Sequence, residues 1–158
     1  MPSQISAGLL MYRLQDGRLQ VLLAHPGGPF YRNKDNGFWT IPKGEIAPDE
    51  NGLDAAIREF TEETGITPCG EFIPLGTVKQ KSGKIVHAWA FAGDRDKAVP
   101  ITSNTFEMEW PPRSGNKQTF PEVDRALFFS VPEALEKINE AQREFILRLE
   151  MFLKENSK

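Results

Sequence analysis

The chain has 158 residues, 39% of them apolar and 26% charged, and a formal net charge of −3. That balance excludes a general nucleic-acid binder that works by neutralising phosphates. The length suits one domain, residues 1–158, large enough to bury roughly two thirds of its unfolded surface, and the one cysteine, Cys69, excludes an internal disulfide and reads as a structural or loop thiol.

The start, MPSQISAGLLMYRL, lacks a basic leader, and its apolar run is too short for a signal peptide or a membrane span. A cytoplasmic protein with no membrane partner is expected. Ile5 to Leu14 and Arg18 to Ala24 are apolar runs around the turn Gln15-Asp16-Gly17, which predicts a β-hairpin. Leu9 to Met11 and Val21 to Leu23 are apolar without alternation, the pattern of strands covered on both faces. His25 to Gly37 is rich in Gly, Pro and Asn and predicts a long loop, a common carrier of binding groups.

Phe38 to Ile41 predicts a short strand that Pro42 ends. A helix over Asn51 to Thr64 follows, capped by Asp49 or Asn51 and stopped by Gly65. Leu53, Ala56, Ile57 and Phe60 form its apolar stripe. Glu59, Glu62 and Glu63 gather on another sector. Like charges one turn apart destabilise a helix by a few tenths of a kcal/mol, so the cluster needs a reason, and a divalent cation with hard oxygen ligands supplies one.

Glu71 to Gln80 and Lys84 to Phe91 predict a second hairpin, with Ile85, His87, Trp89 and Phe91 on one face. Gly93 to Asn104 reads as a polar loop, Thr105 to Trp110 as a short strand, Pro111 to Thr119 as a loop and Arg125 to Ser130 as the last strand. Pro132 opens a helical region, broken near Asn139, with Ala141, Phe145, Leu149 and Phe152 on its apolar face. The sum is α+β, a mixed sheet between helices.

Gly44, five residues, Glu50, seven residues, then Arg58-Glu59-Phe60-Thr61-Glu62-Glu63-Thr64-Gly65-Ile66 resembles the signature of the Nudix hydrolase family. Seven fixed matches at set spacings would arise by chance in roughly one chain in a million. Phe60 departs from the family's usual aliphatic residue, which bears on packing. Trp39-Thr40-Ile41-Pro42-Lys43-Gly44, the first hairpin and the last strand extend the likeness over nearly the whole chain.

The resemblance implies an α/β/α sandwich and a Mg²⁺-dependent (or Mn²⁺-dependent) hydrolase in which water attacks phosphorus in a nucleoside diphosphate derivative. It implies Glu59, Glu62 and Glu63 as metal ligands and the Gly44 carbonyl as a further one. It also implies a later glutamate as extra ligand or base, matched best by Glu122, with Glu107 and Glu109 as rivals. Glu59 and Glu122 lead as the group that takes the water's proton. Glu50 and Arg58 are expected to pair and tie the loop to the helix.

Among the basic residues Lys43 is the best candidate for a substrate phosphate, and Lys79 and Lys81, with Lys84 beside them, form a set at one hairpin tip that suits a polyphosphate. Tyr31 is the leading base-stacking candidate, while Trp39 divides between stacking and core. A dinucleoside polyphosphate is the favoured substrate. A MutT-like hydrolase of (oxidised) nucleoside triphosphates, an ADP-ribose pyrophosphatase and a non-catalytic nucleotide sensor are the alternatives. Oligomeric state is not legible at this level.

Overall fold

A computed structural model describes residues 5–95 and 100–156. Its six-stranded sheet contains β1 (Ile5–Gln15), β2 (Arg18–Pro26), β3 (Lys43–Glu45), β4 (Ile73–Lys79), β5 (Ile85–Ala92) and β8 (Val123–Ser130). The order is β4-β5-β1-β2-β8, with β3 paired to the start of β1. The β1–β5 pair is parallel and the other neighbours are antiparallel, so the sheet is mixed.

The unalternating apolar runs are explained by two covering layers. Leu10, Val21 and Leu23 face one side and pack with Phe145, Ile146 and Leu149 of helix α3 (Arg143–Glu155). Leu9, Met11 and Leu22 face the other side and pack with Ala55, Ala56 and Phe60 of α1 (Gly52–Thr64). Side chains alternate across a strand, so a run of three apolar residues feeds both cores. The result is the expected α/β/α sandwich. Phe60 meets Phe91 edge to face at 5.2 Å, so a bulky aromatic is accommodated on α1.

Several elements differ from expectation. Phe38 to Ile41 is not a full strand. It makes single bridges, Ala24 with Thr40 and Trp39 with Ile138, and the strand lies just past Pro42 at Lys43–Glu45. Pro42 has no N–H for a ladder, so regular pairing begins after it. The Pro111 to Thr119 loop is shorter, because Lys117–Pro121 forms β7 and pairs with β6 (Thr105–Glu109) in a separate two-stranded ribbon. No residue of β7 is buried and only Phe120 is half-buried, so no apolar alternation marked this strand.

The last helical region is α2 (Val131–Lys137), a 3-10 turn at Glu140–Gln142 and α3. The break near Asn139 is real, and the Asn139 side chain caps the turn by accepting from Ala141 N–H at 3.0 Å. On α3 the buried set is Phe145, Ile146 and Leu149, whereas Phe152 is exposed. Among the described residues no helix is long and apolar enough to cross a membrane.

Candidate active site

The site forms where β3 passes the middle of α1. Gly8 on β1 lets β3 approach, because a Cβ there would lie 2.7 Å from the Pro42 carbonyl. Next in β3 is Gly44, where a Cβ would overlap the Glu59 carboxylate. Glycine is therefore a spatial requirement at this position.

Asn51, the actual cap of α1, accepts from Asp54 N–H at 2.9 Å, and Gly65 closes the helix with φ 79°. Arg58 forks onto Glu50 with Nε at 2.8 Å and Nη2 at 2.9 Å from its two oxygens. It also reaches the Glu45 carbonyl at 3.1 Å, Glu59 at 2.9 Å and Glu62 at 3.2 Å. One guanidinium thus joins β3, the loop and two turns of helix, as expected of the Glu50–Arg58 pair. Its hydrogen bonds, with help from Ala47 N–H, hold the Glu50 carboxyl down at about 2.

Glu63 lies deeper. Its carboxyl lies beside the Lys43 main chain, and its Oε2 is buried without a hydrogen-bond partner. Burial first, then the nearby Glu59 and Glu122, pushes this carboxyl up to about 8. Burial also raises Glu59, against the pull of Arg58. The Lys43 ammonium is lowered by burial and by Lys84, while Glu63 and Glu59 oppose the shift.

Glu122 is brought in by the main chain. Asn104 N–H donates to the Glu62 carbonyl at 2.7 Å, Glu122 N–H to the Asn104 carbonyl at 2.9 Å, and Gly27 N–H to the Glu122 carbonyl at 2.9 Å. This ladder sets the entry of β8 across from the end of α1. Glu107 and Glu109 do not share the place. Glu107 pairs with Lys117 at 3.7 Å and Glu109 accepts from Arg113 N–H at 2.6 Å, both out on the ribbon.

A cavity of about 530 Å³ gathers Lys43, Gly44, Glu59, Glu63, Lys84 and Glu122. Through Pro26, Thr40 and Lys43 it adjoins one of about 330 Å³ beside Tyr31, Phe38 and Gln142. That second cavity shares Gly37, Phe38, Gln80 and Asn139 with a third, of about 980 Å³, lined by Lys79, Lys81 and Arg143. This third cavity, more spacious than the other two, does not reach Glu59, Glu63 or Glu122, which line the first.

Of the candidate residues, the structure brings Lys43, Gly44, Glu59, Glu63 and Glu122 together. Glu62 lies outside the cavity wall, turned to Arg58. Lys79 and Lys81 stand at the far end of the three cavities, whereas Lys84, grouped with them in sequence, faces the carboxylates. The turn between β4 and β5 separates them. Trp39 is core, 2% exposed, and its indole N–H donates to Asp35 at 2.8 Å. Asn104 also lines the cavity of the carboxylates, and as an isolated amide at the end of a polar loop it carries no pattern in sequence.

Among the described residues no three acidic, His or Cys side chains converge into a ready-made cation site. Glu59 and Glu62 both accept from Arg58. The donors nevertheless suit a hard divalent ion. They are carboxylate oxygens, a glycine carbonyl, and one buried carboxylate oxygen with no other partner.

The chain is 40% identical over 62 residues to the asymmetrical bis(5'-nucleosyl)-tetraphosphatase of Caenorhabditis elegans, a match that covers 39% of this chain and 41% of that protein. It spans about half the length of the curated relatives it matches. In fold it is similar to a C. elegans Ap4A hydrolase in a binary complex, with TM-score 0.66 and 23% identity over 95% of this chain and 98% of that one. It is also similar to the NUDIX domain of Shewanella oneidensis NrtR complexed with ADP ribose, with TM-score 0.68 and 15% identity over 97% of this chain and 90% of that one. Residues 2–149 match the NUDIX domain, and the chain belongs to the NUDIX family.

Proposed function

We propose that this chain is a divalent-cation-dependent hydrolase of a phosphoanhydride bond in a nucleotide, with a dinucleoside polyphosphate as the favoured substrate. The observation that carries the reading is the single cavity in which Glu59, Glu63 and Glu122 face Lys43 and Lys84. The similarity to the bis(5'-nucleosyl)-tetraphosphatase supports the choice of substrate.

Glu63, Glu59 and the Gly44 carbonyl are the proposed metal holders, with Glu62 joining them if it exchanges Arg58 for the cation. A bound Mg²⁺ supplies charge neutralisation at the phosphoryl oxygens and a more acidic water. Lys43 and Lys84 meet the phosphates as point charges. Glu122 or Glu59 takes the proton of the attacking water as its oxygen bonds to phosphorus, and the bridging oxygen departs with the leaving phosphate. Arg58 and Glu50 keep the loop and helix in register. The adjoining cavities give a long substrate room beyond the reacting phosphate, past Tyr31 and Phe38 toward Lys79 and Lys81.

A panel of dinucleoside polyphosphates, nucleoside triphosphates including oxidised ones, and ADP-ribose, run with Mg²⁺ in ¹⁸O-water, tests the reading. Turnover of diadenosine tetraphosphate with label in one product supports it. Preference for a triphosphate moves the substrate to the MutT-like alternative, and tight binding without any turnover leaves a nucleotide sensor.

A further inference from the structure

The His25 ring, near the end of β2, is fully buried and faces two oxygens. Its Nδ1 lies 2.8 Å from Asp124 Oδ1, and its Nε2 lies 2.6 Å from the Lys34 carbonyl oxygen. A carbonyl oxygen only accepts, and an ionised carboxylate only accepts. A neutral imidazole has one N–H, so one nitrogen would then set a bare lone pair against an oxygen in a place closed to water. Burying a lone pair against an oxygen, with no hydrogen bond made, is unfavourable. Both contacts are satisfied when both ring nitrogens carry protons. Arg125 Nε lies 3.6 Å from the same Asp124 oxygen.

The other charged groups packed around the ring come from three elements. Arg125 of β8 lies over the Trp39 ring at 5.2 Å, and Trp39 meets His25 edge-on at 5.1 Å. Asp35 of the loop accepts from the Trp39 indole at 2.8 Å and from Lys137 of α2 at 2.7 Å. Arg125 and Lys137 thus interleave with Asp124 and Asp35 around the ring.

The contact with Lys34 matters because of where it falls. The loop after β2 is tied at one end by Gly27 N–H on the Glu122 carbonyl, 2.9 Å, and at the other by Gly37 N–H on the Lys137 carbonyl, 2.9 Å. Between them Lys34 N–H donates to the Tyr31 carbonyl at 3.0 Å, closing a turn, and the carbonyl at the end of that turn is the one His25 holds. Tyr31 lines the cavity that continues from Lys43.

We propose that His25 is a positioning residue of the substrate site: a buried imidazolium, anchored on Asp124, that donates to the Lys34 carbonyl and fixes the Tyr31–Lys34 turn beside Lys43. Its role in substrate binding rests on the function proposed above. Its charge state and its hold on the loop do not.

Three measurements test this. The chain has two histidines, so long-range ¹H–¹⁵N spectra at pH 7.5, assigned with His87→Gln, should show both His25 ring nitrogens protonated. A bare ring nitrogen overturns the proposal, and no His25 variant needs to fold for this arm. Second, His25→Asn keeps a donor for Asp124 and loses Lys34, whereas His25→Gln reaches Lys34. Amide exchange across Tyr31 to Phe38 should quicken at least tenfold in His25→Asn, less in His25→Gln, with Leu9 to Met11 unchanged. Unchanged loop exchange overturns the proposal.

Third, with diadenosine tetraphosphate and Mg²⁺, His25→Asn should raise KM at least tenfold with kcat within twofold, and His25→Gln should recover part of it. A fall in kcat at constant KM overturns the positioning role. If the wild-type protein does not turn over this substrate, the function reading fails, while the spectrum and the exchange rates still decide the assignment of His25.

Discussion

Gly44 and Glu59 are placed so closely that a Cβ on residue 44 would occupy the space of the Glu59 carboxylate. Gly44 is not among the glycines with positive φ, so alanine suits the backbone, and the nearest atoms its Cβ would meet are those of the Glu59 carboxylate. Gly44→Ala should therefore displace Glu59 and reduce turnover about 100-fold or more, while thermal denaturation moves by only a few degrees. Assays and melting curves on the same preparation separate the two effects.

Glu63→Gln keeps the shape of a side chain whose Oε2 is buried without a partner and removes a carboxyl that Glu59 and Glu122 disfavour. The variant should melt no lower than wild type without metal. Calorimetry with Mg²⁺ should lose its signal, and turnover should fall at least 1,000-fold. Retained turnover would refute the role given to Glu63.

The Glu50–Arg58 pair predicts an acid-sensitive stability. Arg58 holds Glu50 in the fold at about 2, below the ordinary 4.5. A lowered carboxyl stabilises the fold fully above the unfolded value, and the contribution is lost as pH falls from about 4.5 through about 2. Glu50→Gln should lower the melting temperature at pH 7, and the gap from wild type should close progressively between pH 4.5 and 2. A gap that stays constant over that range would contradict the pairing.

Phe60 is fully buried against Phe91 in the core under α1. Truncating it to alanine should cost about 3–5 kcal/mol, measured by urea denaturation. Phe60→Leu should cost much less and leave KM unchanged, since this residue packs and touches no cavity wall.

The basic residues should divide by position. Lys84→Met should raise KM for a nucleoside triphosphate about tenfold, because Lys84 shares the cavity with Glu59 and Glu63. Lys81→Met should leave that KM within twofold and act only on longer substrates that extend to the third cavity. Steady-state kinetics with a short and a long substrate decide between the two.

Local chemistry was legible in the sequence wherever it repeats along the chain. The stripe containing Ala56 and Phe60, the glycine that stops α1, the two-faced strands around Leu9 and Val21, and the Glu50–Arg58 spacing all follow from periodicity and fixed geometry within a few turns of backbone. The spaced glycines and carboxylates from Gly44 to Ile66 carried the family by themselves. What depended on pairing across the chain was not legible. That Lys84 faces the site while Lys79 and Lys81 do not is decided by a turn between two strands, and the Glu62–Asn104–Glu122 ladder joins residues 60 positions apart in sequence. His25 reads as an ordinary loop-edge histidine until Asp124 and the Lys34 carbonyl are found on either side of its ring. Sequence determines which groups are present and which face of a helix or strand they occupy. Only the packed sheet decides which distant groups lose water together, and the loss of water is what turns a glutamate or a histidine into a site.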